Sequence, residues 1–372
     1  AVFTQGLVAD LIQAESSHSW ELGLVDIDSE GLENITLLAR KMIDAAGVNI
    51  RVSGSESRRD ILPGADIVVT TIAVGGRRAW EADVFIPRKY GVYQPVGDTV
   101  MPGGISRAMR MIPVMLDIAR DVAELCPNAY FFNYSNPMTA ICRAVRKATR
   151  VPVIGLCHGV NHIEGYLASF AGLLRNRVSC IGVGVNHLTY IIDFRYEGKN
   201  AWPLIDKELA QGKTEVNDNP FAWSIYNAYG AYPAVNDRHI VEFYPEFFAG
   251  GEYYGKRLGI DAFSFEDTIK HGDETYAEMV EQALGQRPLR KDLFHRAEGE
   301  HEQLLEILIS LYGDKRKVFS VNLPNEGAVP NLPQEAVLEM PAVATGRGFC
   351  QLHINDFPDV LAAKITRHLA AI

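Results

Sequence analysis

Residues 130–157 read YFFNYSNPMTAICRAVRKATRVPVIGLC, and the order of patterns inside this stretch decides the fold. Tyr130–Tyr134 is a short apolar strand that ends in a polar turn. Pro137–Thr149 then keeps helical spacing, and Val151–Leu156 is a second apolar strand. A strand, a helix and a strand joined by short turns make a right-handed βαβ unit, the building block of a parallel sheet. Working outward, the same alternation recurs on the N-terminal side. Residues 2–14 read as a helix, Leu22–Ile27 as a strand, 29–46 as a helix closed by Gly47, and Val48–Ser53 and Ala65–Ile72 as strands. Ile105 to Ala119 keep helical spacing, with a kink or restart expected at Pro113. The expectation is α/β: a Rossmann-like, doubly wound parallel sheet over residues 1–174.

On the C-terminal side the texture changes. Val178–Val185 and Leu188–Tyr196 read as neighbouring strands. Helices are expected near 203–210, 220–230, 238–248, 274–284 and 300–311, and short strands near 317–321, 336–343 and 348–354. Residues 175–372 are therefore expected to form a mixed α+β substrate and oligomerisation domain, the layout of lactate and malate dehydrogenases. Both ends look cut: a nucleotide-binding unit opens with a strand and a Gly-rich turn, whereas this chain opens in a helix, and its last helical face runs to Ile372 with no stop signal.

The chain has 372 residues, 47% hydrophobic and 22% charged, a soluble globular profile. Charges interrupt every apolar run before it reaches membrane-spanning length, and a net charge of −10 argues against a nucleic-acid partner. The five cysteines are scattered, with no CxxC pair, so a reduced, cytoplasmic protein is expected.

Five groups of residues are candidates for chemistry. Near the end of the expected strand Leu22–Ile27, Asp26 fits the place where dinucleotide folds carry, at the end of their second strand, an acid that binds the adenosine ribose, with Asp28 as neighbour or helix cap. Val74-Gly75-Gly76 ends another strand, where glycines let the backbone approach a cofactor. In Asn133-Tyr134-Ser135-Asn136-Pro137-Met138, Asn136 is either a helix N-cap or a sugar ligand, and Asn133 a ligand for the nicotinamide ribose. Cys157, at a strand end before a helix, and His187, between two strands, are too few for a closed zinc site but suit an open catalytic metal. Finally, Tyr232, Asp237 and His239 are candidate acids or bases, or a capped turn with surface neighbours.

Taken in order, these stretches, together with Gly97-Asp98-Thr99 and Pro102-Gly103-Gly104, resemble glycoside hydrolase family 4. The resemblance covers almost the whole chain. It implies NAD⁺ and a divalent metal, usually Mn²⁺, a glycoside or small oligosaccharide as substrate, and no net redox change. Cys157 and His187 fall on the family's metal ligands, Asn136 on a sugar-binding residue, and Asp98 on a polar position lining the same pocket. Tyr232 and Asp237 are the local candidates for the base that takes the C2 proton. His158 follows the metal-binding cysteine, and Cys157-His158-Gly159-Val160 resembles the uronic-acid branch more than the α-galactosidases or α-glucosidases. A uronate carboxylate calls for an arginine; Arg238 is the candidate, with Arg77, Arg78 and Arg257 behind it. A homodimer or homotetramer is expected. The rival readings are an α-galactosidase or α-glucosidase of the same family, an NAD-dependent 2-hydroxyacid dehydrogenase, and a non-catalytic NAD sensor.

Overall fold

The computed structural model describes residues 2–14, 19–290, 294 and 303–372. Helix α1 (Val2–Ala14) precedes β1 (Trp20–Val25), α2 (Ser29–Ala46), β2 (Ile50–Ser55), α3 (Arg58–Ile61) and β3 (Ile67–Thr70). Two helices, α4 (Gly76–Arg88) and α5 (Met101–Leu125), lead to β4 (Tyr130–Asn133), α6 (Met138–Thr149), β5 (Val153–Gly155) and α7 (Gly159–Phe170). The chain continues through β6 (Val178–Val185), β7 (Leu188–Tyr196), β8 (Lys199–Asn200), α8 (Trp202–Ala210), α9 (Pro220–Tyr229), β9 (Tyr232–Pro233) and α10 (Asp237–Ile240). It closes with β10 (Glu252–Tyr253), β11 (Lys256–Arg257), α11 (Phe265–Leu284), α12 (Leu304–Gly313), β12 (Lys317–Pro324), β13 (Val337–Thr345), β14 (Gly348–Gln351) and α13 (Asp359–Leu369).

The βαβ unit forms as expected: β3, β4 and β5 are parallel neighbours, with Phe132 opposite both Val69 and Ile154. Strands β1 and β2 pair in parallel as a sheet of their own. From β5 the main sheet does not stop. It runs on through β12, β13, β6, β7 and β8, now antiparallel, so two C-terminal strands lie between β5 and β6. The main apolar core follows the sheet across this join: Phe132, Ile154 and Leu156 pack in one cluster with Val183, Tyr190, Val321 and Leu338.

Three expectations need correcting. Helix α5 passes through Pro113 without a break. The helix expected over 238–248 is only α10 followed by single 3₁₀ turns, because Pro245 disfavours helical backbone at the residue before it and Tyr244 leaves the helix at φ −130°. Helix α11 starts nine residues earlier than expected, at Phe265, where Ser264 caps it by accepting from the Asp267 amide. Part of the helix expected over 300–311 lies outside the described residues.

Candidate active site

The site lies at the carboxyl ends of β4 and β5, where open parallel sheets bind ligands. Three elements meet there. The first is the loop between α4 and α5. Gly103 and Gly104 let the start of α5 lie directly on this loop: a Cβ at Gly103 would stand 2.6 Å from the Gly97 carbonyl oxygen, and one at Gly104 2.3 Å from the Thr99 carbonyl carbon. Close backbone packing thus explains the Pro-Gly-Gly stretch, and it places Asp98. On α5, Arg110 forks onto the buried Asp83 of α4 at 2.7 and 2.6 Å and fixes the two helices together.

The second element is the turn after β4. Asn133 is fully buried; its oxygen accepts from the Thr70 hydroxyl and the Ser135 amide, each at 3.0 Å, and its nitrogen donates to the Ser135 carbonyl at 2.9 Å. The amide of this expected ribose ligand is engaged in shaping the turn. Asn136 is freed for the site instead. The Asn136–Pro137 peptide is cis, α6 opens at Met138, and Asn136 makes no cap bond, so its N-cap reading falls. Its side-chain nitrogen donates to Asp98 at 2.9 Å, while its buried oxygen has no partner among the described residues. Arg107 donates to the Asn136 carbonyl at 3.1 Å from below.

The third element is the two-residue hairpin Asn186–His187 between β6 and β7. His187 takes a left-handed conformation, φ +66°, at a cost of about 1–2 kcal/mol for a residue with a Cβ. Its Nδ1 lies 2.8 Å from the Thr99 hydroxyl, which in turn lies 2.8 Å from Asp98 Oδ1. The hydroxyl has one proton. Given to the carboxylate, it requires His187 to donate from Nδ1, leaving Nε2 as a lone-pair donor. Behind the turn stands Glu339 of β13, buried, accepting from Thr189 at 2.8 Å and Asn186 at 3.4 Å. Burial pushes its carboxyl up to about 7.

Asp98, His187 and His239 bring one donor atom each within 4.8 Å of one another, the one such group of three among the described residues. The His187 and His239 rings are 4.4 Å apart. Burial, then repulsion from His187, lowers His239 to about 3, and burial also lowers His187 against the pull of Asp98. Burial alone would raise Asp98, but His187, His239, Arg107 and Thr99 together hold it below its ordinary value. Two neutral imidazoles and one ionised carboxylate form a donor set that fits a divalent transition-metal cation. Cys157 sits at the start of α7, where its sulfur accepts from the Gly159 amide at 3.4 Å. A Cβ on Gly159 would touch both that sulfur and the Ala234 carbonyl, so the thiol lies beside the segment leading to His239. His158 is exposed beside it.

The two candidate bases are engaged with other partners. Tyr232 is fully buried among Trp223, Tyr166 and other rings, its hydroxyl donates to Asn236 at 3.1 Å, and burial raises its pKa far above the ordinary phenol value. Asp237 caps α9: it accepts from the Phe221 and Ala222 amides at 2.9 and 2.7 Å and from Tyr253 at 2.6 Å. Arg238 donates to Thr268 at 2.9 Å and keeps a buried Nε without a partner among the described residues. Arg77 and Arg78 are ion-paired with Asp273, and Arg257 stacks over Tyr93. Of the cofactor candidates, Asp28 caps α2 through the Gly31 amide, and Asp26 is exposed at the end of β1. Gly75 and Gly76 are exposed at the start of α4, after the loop that follows β3, whereas the Val74 amide is taken by the Met111 sulfur.

A Rossmann-like sheet with a buried carboxylate and two imidazoles at its carboxyl edge defines a nucleotide-fold enzyme with a metal-donor site. The chain belongs to glycosyl hydrolase family 4: the model described as family 4 glycosyl hydrolase matches residues 1–173, and that of the family's C-terminal domain matches residues 182–371. It is an enzyme of the glycosidase class, and the sensor and dehydrogenase readings fall. The α-galactosidase of Bacillus subtilis (strain 168) is 28% identical over 97% of this chain and 83% of its own length. An α-galacturonidase of the same strain is 28% identical over 99% and 84%. A 6-phospho-α-glucosidase from gut microorganisms, solved with NAD and Mn²⁺, shares the fold at a TM-score of 0.83, with 16% identity over 100% of this chain and 86% of that one.

Proposed function

We propose that the protein hydrolyses α-glycosides of uronic acids with NAD⁺ and a divalent cation, Mn²⁺ foremost. The observation that carries the reading is the convergence of Asp98, His187 and His239 beside an Asn136 oxygen left without a partner. These three side chains, with Cys157 alongside, would hold the cation; Asp26 and the open Gly75-Gly76 turn would meet the nucleotide. When bound, the two groups supply a hydride acceptor for sugar C3 and a Lewis acid for the neighbouring oxygens, in place of the paired carboxylates of most glycosidases. The chain's own part is to bind and orient. Asn136 is aimed by Asp98 and Arg107 so that its free oxygen accepts from a sugar hydroxyl. Thr99 fixes the proton on His187 Nδ1, and burial keeps both imidazoles unprotonated.

The uronate preference is supported by Cys157-His158-Gly159-Val160 and by the unmet buried donor of Arg238. Among the curated relatives, α-galacturonidases recur at 28–29% identity. The test is turnover of aryl α-D-galacturonide against the matching galactoside in D₂O, with NAD⁺, Mn²⁺ and a thiol. Faster release from the uronide, deuterium at C2, and loss of turnover with EDTA or in Cys157→Ser are expected. Turnover that ignores EDTA would sink the metal; a preference for the galactoside would sink the uronate.

A further inference from the structure

Helix α10 runs directly into the 3₁₀ turn Val241–Phe243, and this short segment carries two side chains that reach the same loop by different routes. His239 enters the donor cluster with Asp98. Glu242, three residues on, stays behind the loop that carries Asp98. One carboxylate oxygen accepts from the Val96 amide at 2.7 Å and the Gly97 amide at 2.9 Å; the other receives the Gln94 side-chain nitrogen at 3.5 Å. Gln94 then spans the far side of the loop, accepting from the Gly103 amide and donating to the Val100 carbonyl, both at 3.0 Å. Both residues are buried, 4% and 1% exposed. No cation pairs with this carboxylate among the described residues, and every donor it meets belongs to residues 94–97. A buried acid is costly to keep unless its hydrogen bonds achieve something a neutral side chain would not.

We propose that Glu242 is a positioning residue which, with Gln94, fixes Asp98 opposite His239 and so assembles the cation donors before cation or sugar arrives. His239 and Glu242 share one turn, so the position of that turn is transmitted to both sides of the donor cluster at once. The inference rests on the metal centre proposed above. Residues that orient ligands without touching the metal are worth about 10- to 100-fold in its affinity.

The test measures Mn²⁺ affinity from the electron paramagnetic resonance of the free ion, with circular dichroism and NAD⁺ binding alongside. It compares the wild-type chain with Glu242→Gln, Glu242→Leu and Gln94→Leu. Glu242→Leu is expected to weaken Mn²⁺ about 10- to 100-fold with NAD⁺ binding unchanged. Glu242→Gln, whose amide oxygen still accepts from Val96 and Gly97, restores most of it. If Glu242→Leu fails to fold, Gln94→Leu decides, since it frees Gly103 and Val100 while leaving Glu242 on its two amides; a weaker but definite loss is expected. A folded Glu242→Leu or Gln94→Leu that binds Mn²⁺ like wild type overturns the inference alone. A wild-type chain that binds no Mn²⁺ overturns the metal-dependent reading and this inference with it.

Discussion

At the scale of single residues, backbone conformation and hydrogen-bond partners separate chemistry from support. His187 is held at φ +66° in a two-residue turn, a conformation that Asn tolerates well and Ala does not. His187→Asn is therefore expected to keep its melting temperature close to wild type while losing Mn²⁺ binding; His187→Ala should lose both, with about 1 kcal/mol of extra instability. Asn136→Ala removes the oxygen that would accept from a sugar hydroxyl, a bond worth about 0.5–1.5 kcal/mol, so kcat/KM should fall up to about 10-fold, and its lost bond to Asp98 should lower stability by about 1.5–3 kcal/mol. Asp237→Ala should act on stability. It strips two bonds from the start of α9 and a third from Tyr253 of β10, and is expected to cost about 2–4 kcal/mol in urea unfolding. A normal melting curve with abolished turnover would instead return Asp237 to the catalytic machinery.

At the scale of elements, what the sequence discloses depends on whether the signal is periodic. Strands β4 and β5 and the helix between them were legible because their apolar pattern is local, and so was the order of the polar turns that end them. Asn136 could be read from the turn after β4 and His187 from the junction of two expected strands, whereas Asp98 came only from the family resemblance. The convergence of His239 with Asp98 could not, because it depends on how far a non-periodic segment, 234–243, travels across the sheet. Glu339 did leave a trace, an acid inside the apolar run Val337-Leu338-Glu339-Met340, but a strand-edge position would read the same. The two buried elements also predict opposite responses to pH. His239 takes a proton near 6.5 when unfolded and only near 3 when folded. The unfolded chain therefore binds more protons in that window, and stability falls as pH drops through it. Glu339 takes a proton near 4.5 unfolded and near 7 folded, so its contribution is complete below 4.5 and is lost as pH rises through 7. In denaturation at about pH 5 and about pH 8, Glu339→Gln should gain on wild type toward the alkaline side, and His239→Gln toward the acid side. Parallel shifts in both variants would contradict the assignment.

At the scale of the whole molecule, the join between the two halves is itself a stretch of sheet. Gly155 of β5, Asn322 of β12, Glu339 of β13 and Gly184 of β6 stand opposite one another in a row across four strands. Helix α2, which packs on the first two strands, is likewise held by α11 from the far half, where Met279 and Ala283 join Leu38, Met42 and Ile43. Donors to the cluster come from both sides of this row: Asp98 from the N-terminal half, His187 and His239 from the C-terminal half. A hinge at the join would open the cluster, whereas a shared core holds its spacing. Calorimetry of the full chain is therefore expected to show one cooperative transition, with calorimetric and van't Hoff enthalpies in agreement. Residues 1–174 expressed alone should not fold to a monomer, because Ile154, Leu156 and the free edge of β5 lose their cover and invite edge-to-edge pairing. Two resolved transitions, or a soluble monomeric 1–174 fragment with protected amides in β3–β5, would mean that the donors are brought together by domain closure rather than by the sheet.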